Sequence, residues 1–162
     1  MLGVANKRPP QPRYTYTWDV QQVLDYLMTL PCNDELSLKD LTIKTTGLLA
    51  LSQINRGSEL KYLNLNFMTE NRQSYIFSFN RQIKNSRGAK RPPEMVFHSF
   101  PGEQNIDPND RKLCPYTTLK HYMKVTEDLR GEPRKSQLLI GQTKPHKEVV
   151  KCNIGGWQHH HI

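Results

Sequence analysis

A chain of 162 residues is long enough for one hydrophobic core, and its 36% hydrophobic content, though modest, does not imply wholesale disorder. The formal net charge of +8 is unevenly placed: residues 1–60 balance six basic side chains against six acidic, while residues 61–162 hold seventeen against nine. Such asymmetry points to a polyanionic partner, of which nucleic acid is the commonest. No apolar run approaches a membrane span or the core of a signal peptide, so a soluble intracellular protein is expected, nuclear if the source is eukaryotic. Three widely separated cysteines, Cys32, Cys114 and Cys152, offer neither a CxxC pair nor a disulfide framework, and no metal or cofactor is expected.

The elements follow in order. Residues 1–13 form a basic, proline-rich lead-in held extended by its prolines. A first helix places Val20, Val23, Leu24, Leu27 and Met28 on one face and closes at Pro31. Ser37 caps a second helix whose apolar face uses Leu38, Leu41, Thr45, Leu48, Leu49 and Ser52. Strands are predicted over Tyr62–Phe67, Ser74–Phe79 and residues 95–100, giving an antiparallel meander. Between the last two lies a polar basic turn, residues 80–93. A third helix follows Pro115 with Leu119, Tyr122, Met123, Thr126 and Leu129 on one face, and residues 137–141, QLLIG, form a short apolar segment. The fold class expected is α+β, with helices packed around a small three-stranded antiparallel sheet.

Two stretches carry chemistry. Arg56 ends the second helix, and Glu59 follows three residues later. A guanidinium has a fixed fork of donors that matches two phosphate oxygens, and a rigid helix end would aim it. The pair also reads as an ordinary surface Arg–Glu contact, worth little. The second stretch, RQIKNSRGAKR, holds Arg81, Lys84, Arg87, Lys90 and Arg91 with no acid among them. On a turn projecting from a sheet these cations reach DNA phosphates, and a lysine with a lowered pKa protonates a leaving oxygen. A solvated charge run is the competing reading. His98, His121 and His146 lack metal-ligand spacing, and the terminal His159–His161 tract is assigned no role. No hydrolase triad, GxGxxG or P-loop is present.

In this order the residues resemble the catalytic domain of tyrosine recombinases of the phage-integrase type, especially those of DIRS-type retrotransposons. The stretches that carry the likeness are PRYTYTWDVQQVLDYL, LSLKDLTIKTTGLLALSQINRGSEL, LNLNFM, YIFSFN and LCPYTTLKHYMKVTEDLR, with QLLIGQTKPHKEVVKCNIGGW matching more loosely. The resemblance implies the front half of an integrase-like catalytic core over residues 14–157, with 158–162 as a tail. It implies that Arg56 grips the scissile phosphate, that Glu59 supports it, and that Lys84 is the general-acid lysine, with Lys90 as its rival. Arg81, Arg87, Lys90 and Arg91 would contact DNA. The partner implied is double-stranded DNA, with no membrane and no small-molecule substrate, and nothing in the sequence supports self-association.

The chain departs from that pattern in two respects. It contains no His-x-x-Arg, and no tyrosine follows Tyr122. Without the nucleophile no phosphotyrosyl intermediate forms. The function expected is therefore an incomplete DNA breaking-rejoining domain of recombination or integration, truncated relative to a transposable-element enzyme and inactive alone. A non-catalytic basic DNA-binding module and a domesticated interaction protein are the alternatives. A domain cut through its core would expose Leu119, Met123 and QLLIG, and would leave the chain after about residue 140 marginally ordered.

Overall fold

Residues 19–52, 57–79, 94–100, 111–130, 136–144 and 146 are described by a computed structural model of the chain. Asp19 opens α1 (Val20–Thr29) by accepting from the Gln21 amide at 2.8 Å. The helix stops at Leu30, which is driven to extended geometry by Pro31 behind it. Only Leu27 of its apolar face is fully buried, and Val20 remains 46% exposed.

Ser37 caps α2 (Leu38–Ser52): its hydroxyl accepts from the Asp40 amide at 3.1 Å and donates to the Asp40 carboxylate at 2.6 Å. Leu41, Thr45, Leu48 and Leu49 are buried, as expected. Thr42, Lys44 and Thr46 are buried as well, so α2 is enclosed on more than one face. Pro115 starts α3 (Pro115–Thr126), where its missing N–H costs nothing, and Leu119, Tyr122 and Thr126 face inward. Helix α3 packs along α2.

The sheet is three-stranded and antiparallel among the described residues, in the order β1 (Met68–Asn71), β2 (Ser74–Ser78), β3 (Glu94–His98). The α+β class is as expected, but the first strand is not where the sequence placed it. The predicted Tyr62–Phe67 strand instead holds the last residue of one 3-10 turn, Gly57–Tyr62, an isolated bridge at Asn64, and a second 3-10 turn, Leu65–Phe67. Leu60 and Leu63 are both buried at a spacing of three, which suits a 3-10 turn and not an alternating strand. Asn64 then accepts from the Asn66 amide at 2.8 Å and starts the second turn.

Register puts Met68, Phe77 and Met95 in one cross-strand row and Glu70, Tyr75 and Phe97 in the next row but one, on the same face. The inward residues of β2 and β3 join Leu41, Leu49, Leu119 and Tyr122 in a single core, with Phe77 and Phe97 edge-on at 5.9 Å. Burial of each such aromatic contributes about 1.5–3 kcal/mol.

QLLIG is not exposed. Leu138, Leu139, Ile140 and Leu119 are all buried, and Met123 packs partly against the core. The reason is a set of partners 72 residues away in sequence that lace residues 136–138 to Asn64 and its neighbours. The Leu138 amide donates to the Leu63 carbonyl at 3.0 Å, the Leu65 amide donates to the Ser136 carbonyl, and Asn64 pairs with Gln137 as a β-bridge. The lead-in 1–13 and the tail 158–162 lie outside the described residues.

Candidate nucleic-acid interface

Helix α2 delivers the chain to the predicted phosphate clamp. Leu48 and Leu49 fix its last turns in the core, and the Ser52 hydroxyl closes on the Leu49 carbonyl at 3.1 Å. Arg56 itself lies outside the described residues. The chain is described again from Gly57, and Glu59 sits in the 3-10 turn that follows.

Glu59 is not the surface residue of an ordinary ion pair. It is only 5% exposed, and its Oε2 has no hydrogen-bond partner among the described residues. A buried carboxyl oxygen without a hydrogen bond costs about 1–3 kcal/mol, so such an oxygen is normally matched by a donor. The turn around it is fixed from two sides. Leu60 and Leu63 anchor it inward, and the Gln137 side chain donates to the Lys61 carbonyl from the facing segment. Outward, the Lys61 ammonium lies 4.8 Å from the Tyr62 ring centroid.

The hairpin cations Arg81, Lys84, Arg87, Lys90 and Arg91 also lie outside the described residues. What is described is the base from which they spring. Ser78 and Glu94 are directly paired across β2 and β3, and the Ser78 hydroxyl lies 3.4 Å from Glu94 Oε1. The described residues on either side of the basic stretch are therefore held side by side on the sheet.

Three features escaped sequence reasoning. Lys44 is completely buried, its Nζ has no hydrogen-bond partner among the described residues, and burial pushes its pKa below 10.5, with Lys112 nearby adding to the effect. Its signal was present, since Lys44 lies three residues after Leu41 and four before Leu48, on the apolar face. Arg130 is buried four residues beyond the end of α3, where it donates to the Gln137 and Leu138 carbonyls. Glu70 accepts from both Tyr75 and Tyr116. Neither of these last two was visible, because each joins residues that only the fold brings together.

Among the described residues, no group of histidine, cysteine and carboxylate side chains is arranged to hold a metal, and no helix is long and apolar enough to cross a membrane. Cys32 is exposed and Cys114 is buried, and both are free thiols. His121 pairs with Asp34 at 3.3 Å and so ties α3 to the short turn before α2. No family model, curated protein or solved structure matches the chain.

Proposed function

We propose that the chain is the DNA-contacting front part of a strand breaking and rejoining domain of tyrosine-recombinase type. The observation that carries this reading is Glu59, a buried carboxylate whose Oε2 has no hydrogen-bond partner among the described residues, three residues after Arg56. In this reading Glu59 holds the Arg56 guanidinium, and the remaining donors of the fork grip a DNA phosphate. The cations of the β2–β3 connection lie along the flanking backbone, and Lys84, with Lys90 as its rival, protonates the leaving oxygen. The chain does not cleave DNA alone, because it has neither a His-x-x-Arg nor a tyrosine after Tyr122.

Two measurements test the reading. Duplex DNA binding followed by fluorescence anisotropy is expected to weaken in Arg56→Ala and in Glu59→Gln. The double variant should lose little more than either alone, with a coupling energy of about 0.5–3 kcal/mol as for residues that touch. Fully additive losses would mean that Glu59 does not hold Arg56. Supercoiled plasmid should stay intact with the wild-type chain, and metal-free nicking abolished by Arg56→Ala would overturn the claim of inactivity.

A further inference from the structure

Between the sheet and α3 lie two phenols that the proposed DNA contact does not use. Tyr75 on β2 and Tyr116 in the first turn of α3 stack with ring centroids 4.7 Å apart and planes within 19° of parallel. Their hydroxyls converge on one atom. Tyr75 donates to Glu70 Oε1 at 3.0 Å, and Tyr116 reaches the same oxygen at 3.4 Å. Near-parallel rings whose hydroxyls meet at a single oxygen run in the same sense. The hydroxyl-bearing ends of the two rings therefore lie toward the same side of the stack. Both tyrosines are buried, whereas Glu70 stands exposed on the edge strand β1.

We propose that Tyr75 and Tyr116 form an oxidative cross-linking site, where a one-electron oxidant of the peroxide-fed haem peroxidase class joins the two rings as dityrosine. Each phenol gives one electron to the oxidant and one proton to the Glu70 carboxylate, which passes it to water before the second transfer. The two phenoxyl radicals pair their unpaired electrons in a carbon–carbon bond between one ortho carbon of each ring. Each of those carbons then passes its hydrogen, as a proton, to its own ring oxygen, which restores both phenols. The net change is the loss of two electrons and two protons.

Glu70 is what separates this pair from ordinary aromatic packing. Burial is no barrier to an electron, but a proton needs a hydrogen-bonded acceptor that opens to solvent. Burial and the hydrogen bond to Glu70 push the Tyr75 pKa upward, so the phenol enters the step protonated and its proton must leave with the electron. The product would tie the first turn of α3 covalently to the central strand.

The full chain is oxidised with photogenerated tris(bipyridyl)ruthenium(III) and persulfate at high dilution, then digested with trypsin. The expected result is monomer lighter by two hydrogens, with residues 73–81 linked to residues 113–120 through Tyr75 and Tyr116. Tyr116→Phe should abolish that linked pair, and Glu70→Gln should sharply reduce its yield, while Glu94→Gln leaves it unchanged. Wild-type protein oxidised in concentrated urea should lose the linkage too, which tests the role of the fold without any substitution. A wild-type monomer in which Tyr75 and Tyr116 stay unlinked while Tyr26, exposed on α1, is oxidised would overturn the proposal. So would a yield indifferent to Glu70→Gln.

Discussion

Arg130 Nη2 donates to the Leu138 carbonyl at 2.7 Å and to the Thr126 hydroxyl at 2.7 Å, so one buried guanidinium joins the end of α3 to the segment that follows it. The Ile140 amide adds a bond to the Tyr122 hydroxyl at 3.3 Å. Arg130→Met should destabilise the fold by about 3 kcal/mol, because two buried carbonyls and a hydroxyl are left without their donor. Urea unfolding measures the effect. Amide exchange should quicken first at Leu138 and Ile140; uniform acceleration across the protein would mean that Arg130 does not secure this segment in particular.

Stability should depend on alkaline pH in two opposing ways. The folded Lys44 pKa lies below 10.5, so between that lowered value and 10.5 the unfolded chain binds more protons and stability rises with pH. Tyr75 and Tyr122 are shifted the other way, chiefly by burial, from 10.0. Above pH 10 the unfolded chain releases phenolic protons that the folded chain keeps, so stability falls. A maximum on the alkaline side is expected in urea titrations. Lys44→Met should remove the rising limb and stabilise the protein at pH 7 by on the order of 1–3 kcal/mol, since a buried amine without a partner among the described residues is replaced by an apolar chain of similar length. A destabilised Lys44→Met would show that the amine has a partner after all.

Gly47 lies inside α2, and a Cβ added there would stand 3.9 Å from Leu27 Cδ1, an ordinary contact. Gly47→Ala should therefore stabilise the fold by about 1 kcal/mol, the usual difference between the two residues within a helix. A lower melting temperature would indicate that α1 sits closer to α2 than this distance implies.

DNA binding should show a salt dependence that originates in the β2–β3 connection. Replacing Lys84 and Lys90 by Gln should flatten the slope of log affinity against log salt by about 0.9 for each phosphate that is no longer neutralised. The same replacements should leave the urea midpoint unchanged, because neither removes an apolar side chain. An unaltered slope would move the DNA-binding surface elsewhere.

Much of the fold was legible because local signals and burial agree. Ser37 and Pro115 mark helix starts by capping chemistry, and the leucines of α2 repeat at the helical period. The strands around Tyr75 and Phe97 alternate as half-buried strands do. The first strand was misplaced because Tyr62, Leu63, Leu65 and Phe67 resemble a strand in composition, while Leu60 and Leu63 already follow a period of three. The fate of QLLIG was illegible for another reason: its partners are Leu63 and Asn64, and no local pattern records a pairing across that distance. At the candidate site, the sequence placed Glu59 next to Arg56, but only the fold reveals that Glu59 is buried.

The lacing of Asn64 to Ser136 and Gln137 also bears on how the chain reaches its fold. Closing a loop of this span precedes any reward from the interactions it creates, so this step raises contact order and slows folding. Length within that loop matters far less. Doubling the length of a flexible loop adds only about 0.6 kcal/mol of closure entropy, so this term responds weakly to the span between Asn64 and Ser136. Severing the backbone just before Ser136 is a different matter: it turns an intramolecular closure into a bimolecular encounter, and core assembly then becomes dependent on concentration.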